Sequence, residues 1–204
     1  MVSFSLMTVM AHPDDAELWA GGTITRHVHH GGSATIAVAH HDPIRNAEAA
    51  AGAGILGAHL ELLDEITPAI VFALLTRHQP DVVVTHPVND IHAEHRRCAE
   101  TLLAVLPDVV IATGRPHRVY HCDGYHNLDM TGQPFILPVI VDITEAWETK
   151  LTALRSHASQ PIIDHFGPMA DTLARLHGGR IGVTRAEAFQ AVPILGRLPT
   201  HEHL

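Results

Sequence analysis

The stretch SLMTVMAHPDDAELWAGG, residues 5–22, decides the fold. Its opening run, 5–11, is nearly continuous in apolar residues, short, and closed by a turn, as expected of a strand buried on both faces of a parallel sheet. A helix is then expected over about 16–30. Asp14 or Asp15 is placed to cap its start, and Gly31 and Gly32 follow its end. Between strand and helix stands HPDD, a histidine and two adjacent aspartates at the turn.

The same alternation continues outward from that unit. Strands are expected at 33–39, 59–63 and 81–85, with helices at 44–56, 68–78 and 92–106 between and after them. Proline opens the helix at 68, where helices tolerate it. Further strands are read at 117–122 and 137–143, and helices at 145–156 and 169–176. Strands separated by helices imply right-handed βαβ units. The expected fold is therefore α/β, a Rossmann-like, mostly parallel sheet flanked by helices, in a single domain over 1–204. The closing HEHL, 201–204, reads as a frayed tail.

Composition narrows the function classes. The chain has 204 residues, 46% hydrophobic and 17% charged, ordinary values for one globular domain. A net charge of −9 with scattered basic residues leaves no basic stripe to neutralise phosphates, so nucleic acid is not an expected partner. No run reaches the roughly 18 apolar residues of a membrane helix, and no signal-like start is present. A cytoplasmic protein with no membrane partner is expected, and a homo-oligomer is compatible with the sequence. Cys98 and Cys122 are too few for a disulfide framework and read as reduced, structural thiols. Twelve of the 13 basic residues are arginine, Lys150 being the one lysine, and histidine is abundant at 19. Abundance does not say which histidines bind anything; position does.

In open parallel sheets the reactive crevice lies beyond the carboxyl ends of the strands. Three polar loops fall there: HPDD (12–15), HHD (40–42) and HPVNDIHAEH (86–95). A catalytic zinc takes three ligands from His, Asp or Glu and leaves a position for water. His12 and Asp15 can supply two from one turn, and a histidine at the start of the facing helix the third. If Asp15 ligates, Asp14 is left beside the ion to accept a proton from water, the division of labour that metal-assisted hydrolysis needs. Taken singly, HPDD is equally a helix cap with an exposed histidine, and HxxH pairs arise by chance in so histidine-rich a chain. Their shared placement after strands of one sheet favours the metal site. A dinucleotide site is excluded by the missing Gly-x-Gly-x-x-Gly turn and by acidic groups that would repel a pyrophosphate.

AHPDDAE (11–17) followed by Gly21 and Gly22 resembles the signature of the PIG-L/LmbE-like zinc-dependent N-deacetylases. HPVNDIHAEHR (86–96), KLTALRSHASQ (150–160) and GVTRAEAFQ (182–190) resemble, in order, the family's later motifs. The resemblance implies that His12, Asp15 and His95 bind Zn2+ (or another divalent metal), that Asp14 is the general base, and that His92 stabilises the oxyanion and protonates the leaving amine. It further implies hydrolysis of an N-acetyl group from an N-acetylglucosamine-type amino sugar or its glycoside, a small-molecule substrate, in bacterial natural-product or amino-sugar metabolism. The alternatives are an amidase acting on bulkier acyl or thiol conjugates by the same chemistry, and a metal- or sugar-binding protein without turnover. Two departures stand out. The family more often has aspartate where this chain has Glu94, which is expected to orient His92. The loop after the second strand carries HHDPIRNAE in place of a Thr-Asp-Gly turn, with Arg45 and Glu48 keeping an Arg-x-x-Glu spacing. His40, His41, Asp42, Arg45 and His157 are the candidate substrate contacts, solvated or helix-end roles being equally compatible with them. Glu17 and Glu187 read as polar anchors of their motifs.

Overall fold

Successive residues of the first strand belong to different cores. The computed structural model describes residues 4–199; the tail at 201–204 lies outside the described residues. In β1 (Ser5–Met10), Leu6 and Met10 pack into one apolar cluster while Met7 and Val9 pack into another on the opposite face. A strand covered on both sides has no use for polar alternation, which is why its sequence is a nearly continuous apolar run.

The chain proceeds through α1 (Asp15–His29), β2 (Ser33–Ala39), α2 (Pro43–Leu56), β3 (His59–Leu63), α3 (Pro68–His78), β4 (Val82–Thr85) and α4 (Ala93–Thr113). It continues with β5 (Arg118–His121), a 3-10 turn (Tyr125–Asn127), β6 (Val139–Asp142), α5 (Trp147–Arg155), a π-helical turn (Ile162–Phe166), α6 (Gly167–Ile181) and β7 (Ala186–Val192). The sheet order is β3-β2-β1-β4-β5-β7-β6. The first five strands are parallel, whereas β7 runs antiparallel to both β5 and β6. Residues of α1, α2, α5 and α6 fill the core on one face, and residues of α3 and α4 fill the core on the other. The architecture is thus the expected α/β sheet, mostly parallel and flanked by helices.

Two segments depart from the sequence reading. The fourth helix was expected to stop at 106, before Pro107, but α4 runs through it to Thr113. Proline supplies no N–H to the ladder, yet Val109, beyond it, is fully buried in the core shared with α3, so packing carries the helix onward. The motif at 182–190 was given no secondary structure, and its second half opens the strand Ala186–Val192 that joins β5 to β6. Cys98 and Cys122 are buried and unpaired. Among the described residues no helix is long and apolar enough to cross a membrane.

After β1 the chain moves outward to β2 and β3, then returns to place β4 on the other side of β1. The loops leaving β1 and β4 therefore diverge, and the crevice between them is the topological switch point where such sheets bind ligands. HPDD and HPVNDIHAEH are those two loops.

Candidate metal centre

Asp15 is the hub. It opens α1, is 1% exposed, and lies among three imidazoles. Its Oδ2 accepts the His12 backbone N–H at 2.9 Å and lies 3.2 Å from His12 Nδ1 and 3.2 Å from His86 Nε2. Its Oδ1 lies 3.4 Å from His95 Nε2. Against the upward pull of burial, His95 and His86 hold its carboxyl well below the usual range, so it is ionised. His95 is pushed up to about 10 by Asp15 and Asp90, again against burial. The centre thus gathers positive charge around one buried carboxylate, which a cation would supply in place of protons.

The loop after β4 builds the other half. Asp90, fully buried, accepts from the His92 backbone N–H at 2.7 Å through Oδ1 and faces His95 Nδ1 at 3.1 Å through Oδ2. With Nδ1 donating to Asp90, a cation that displaced the other ring proton would meet the lone pair of His95 Nε2, a buried atom with no hydrogen-bond partner. His92 is the N-cap of α4: its Nδ1 accepts the Glu94 N–H at 3.3 Å, which leaves the proton on Nε2, and burial with the neighbouring histidines lowers its pKa. His92 is thereby set to present an N–H donor at Nε2. Its ring is 4.6 Å from that of His95 and 5.0 Å from that of His12.

The residues fit a tetrahedral ion. Bonds of about 2.0–2.1 Å from the metal to N and O ligands place neighbouring ligand atoms about 3.3 Å apart. Asp15 meets that spacing through its two oxygens, Oδ2 at 3.2 Å from His12 Nδ1 and Oδ1 at 3.4 Å from His95 Nε2. The two three-residue groupings of ligand atoms, His12/His92/His95 and Asp15/His86/His95, overlap in one cluster. His86 was given no role from sequence. It is fully buried, stacks on His95 with ring centres 3.8 Å apart, and its Nε2 accepts the Ala11 N–H at 3.1 Å. The signal was positional: His86 follows β4 as His12 follows β1.

Asp14 does not cap α1. It occupies the N-cap position with φ 101°, a left-handed conformation costly for any residue with a Cβ, and makes no capping hydrogen bond. Its carboxylate instead faces Arg45 Nη2 at 3.4 Å, while the same nitrogen donates to Pro13 O at 2.7 Å. Burial and Asp15 push the Asp14 carboxyl up to about 7, opposed by Arg45 and His157.

The remaining candidates separate by position. Asp42 is spent as the N-cap of α2, accepting from Ile44 N and Arg45 N. His40 faces Asn46 Nδ2 at 3.1 Å. His41 has its ring 5.8 Å from that of His12 and shares with His12, Asp64, Glu94 and Arg97 the lining of an open cleft of about 500 Å³. His157 is fully buried and lies 3.3 Å from Glu17, so the ring faces that carboxylate and not solvent. Glu94 does not turn its carboxylate to His92 as expected. It reaches His12 Nε2, 2.5 Å away. Tyr125, from the 3-10 turn, stacks on the far side of the cluster at 5.7 Å from His95 and meets Trp19 edge-on at 5.4 Å.

Behind the crevice a buried ion pair fixes α1. Lys150 Nζ lies 2.6 Å from Glu187 Oε1 and donates to Leu18 O at 2.7 Å, while Glu187 accepts from Gly22 N and Thr23 N at 2.9 and 2.8 Å. Leu18 O and Gly22 N are the i and i+4 groups of an ordinary helical hydrogen bond, so the pair reaches into the ladder of α1. A side chain at Gly22 would stand 2.7 Å from Ile143, which explains the glycine.

Residues 7–106 match the family described as PIG-L, GlcNAc-PI de-N-acetylase. No curated protein sequence matches the chain. Among solved structures, N,N'-diacetylchitobiose deacetylase from Pyrococcus horikoshii is 22% identical over 95% of this chain and 85% of its own, with a TM-score of 0.75. The 4-carboxy-2-hydroxymuconate hydratase from Pseudomonas putida is 21% identical over 98% of this chain and 99% of its own, with a TM-score of 0.80. A zinc-inhibited form of a teicoplanin deacetylase is 14% identical over 92% and 97%, with a TM-score of 0.71. At these identities the likenesses show a shared fold.

Proposed function

Over residues 7–106 the chain belongs to the PIG-L family, and on that premise we propose that it is a metal-dependent N-deacetylase, with zinc as the expected ion, acting on an N-acetylglucosamine-type amino sugar or its glycoside. The observation that carries this reading is the ionised, buried Asp15 set between His12 and His95, with a second carboxylate, Asp14, free of that set and next to it. His12, Asp15 and His95 would hold the ion. Bound there, a divalent metal supplies an acidified water and polarises the acyl carbonyl.

The chain's own groups supply the proton traffic. Asp14, poised near neutrality, takes a proton from the attacking water and passes it to the departing nitrogen as the C–N bond breaks, giving acetate and a free amine. Arg45 keeps the Asp14 carboxylate aimed and partly compensated. His92 Nε2–H, its tautomer set by the Glu94 amide, donates to the carbonyl oxygen as negative charge gathers there. The sugar enters through the cleft beside His12 and His41.

The test is incubation of zinc-loaded protein with a panel of N-acetylglucosamine derivatives, reading acetate and the matching mass loss. Asp14→Asn should lower turnover about 10²–10⁴-fold while zinc stays bound; unchanged turnover refutes the assignment of the base. The likeness to a hydratase supplies the rival outcome: water added to an unsaturated acid, with no acetate from any acetylated sugar, would replace the deacetylase reading.

A further inference from the structure

We propose that Glu94 is a positioning residue of the metal centre, a carboxylate from the first turn of α4 that locks the His12 ring so that Nδ1 is presented to the ion. The inference rests on the metal-dependent reading above. His12 Nε2 and Glu94 Oε2 are 2.5 Å apart. An ionised carboxylate only accepts, so Nε2 keeps a proton toward Glu94; a cation that displaced the other ring proton would then meet the lone pair of Nδ1, which lies 3.2 Å from Asp15 Oδ2. His95 is held by the same device in mirror arrangement: Nδ1 donates to Asp90 Oδ2 at 3.1 Å, and Nε2, without a hydrogen-bond partner, faces Asp15 Oδ1 at 3.4 Å. Each histidine therefore has a carboxylate from the β4–α4 segment behind it and Asp15 in front. Carboxylates placed behind ligating histidines fix the tautomer and orientation and raise ligand basicity.

The two locks differ in their surroundings. Asp90 is fully buried, whereas the Glu94 side chain is 57% exposed and lines the open cleft that His12 and His41 share. Glu94 also serves His92, but through its backbone N–H on Nδ1. Side-chain substitution therefore releases His12 and leaves the His92 tautomer in place, which separates metal holding from proton donation within one residue.

The experiment uses the full chain without substrate. Zinc affinity is measured by competition with a chromophoric chelator for the wild type, Glu94→Gln and Glu94→Ala, with Co2+ absorption as a coordination probe and thermal unfolding of the metal-free proteins as the check on folding. Glu94→Ala should bind zinc about 10–100-fold more weakly than the wild type. Glu94→Gln should fall between, since an amide oxygen still accepts. The Co2+ band should keep its position in both variants, as befits a residue that orients a ligand without being one. Zinc affinities within twofold of the wild type in both variants overturn the proposal, and so does a Co2+ spectrum that changes coordination number. A wild type that binds neither ion overturns the metal-dependent reading and this inference together; zinc binding indifferent to Glu94 overturns the inference alone.

Discussion

Replacing Lys150 by methionine should destabilise the protein by about 3 kcal/mol, because it strands a buried carboxylate while leaving little cavity. Lys150 and Glu187 have side chains 3% and 5% exposed. Removing one member of a buried pair costs about 3–5 kcal/mol, chiefly through the charge left behind. Glu187 would keep the Gly22 and Thr23 amides at 2.9 and 2.8 Å, which places the cost at the lower end of that range. Leu18 O would also lose its ammonium donor, a loss of about 1 kcal/mol contained in that figure, whereas the methionine side chain retains most of the packing volume. For a chain of this size each kcal/mol shifts Tm by about 2–4 °C, so a fall of roughly 6–12 °C is expected. Urea unfolding followed by far-UV circular dichroism measures it. The double variant Lys150→Met/Glu187→Gln should recover a large part of the loss, since no charge then remains buried. A Lys150→Met variant within 1 kcal/mol of the wild type, or a double variant whose cost is the sum of the singles, would refute the reasoning.

Other expectations concern the ground behind Asp14. Gly52→Ala would bring a Cβ to 2.3 Å from Glu17 Oε1 and 3.1 Å from His157 Nε2, both buried; the clash should outweigh the helix gain of about 1 kcal/mol and destabilise by about 1–3 kcal/mol. Gly54→Ala on the same helix meets nothing within 4 Å and should stabilise by up to about 1 kcal/mol, so equal effects at the two positions on a urea titration would contradict the geometry. His157 has its pKa lowered by burial but raised on balance above 6.5 by the Glu17 contact. Its folded value exceeds its unfolded one, so its contribution is fully present below about 6.5 and is lost as pH rises through the folded pKa. The stability gap between wild type and His157→Gln should accordingly narrow from pH 6 to pH 9, and a gap that widens would reverse the sign.

The parallel half of the fold was legible because β1, β2 and β4 carry largely apolar runs and each is followed by a helix, with glycines such as Gly31 and Gly57 after the first two. The switch point followed from chain order, and with it the meeting of the loops at 12–15 and 86–95. What the sequence did not disclose depends on partners far away in the chain. Glu187 meets Lys150 from β7, and the Gly21–Gly22 pair is shaped by Lys150 and Ile143. His86 and Asp90 lay inside a quoted motif, yet their work is to brace Asp15, Ala11 and His95, contacts visible only when β1 and β4 stand side by side. Glu94 was assigned to its near neighbour His92, whereas its longer side chain spans to the β1 loop. The fourth helix outran its expected end at 106 because the buried face of α4 continues past Pro107 to Val109.

The left-handed backbone of Asp14 carries a consequence for how this turn could vary. A residue with a Cβ pays about 1–2 kcal/mol to stay there, and glycine would not. The substitution that best relaxes the turn is thus the one that deletes the carboxylate. Folding and the proposed chemistry rank different residues first at this position, and selection for stability alone would drift the protein toward a well-folded shell without the proposed proton acceptor.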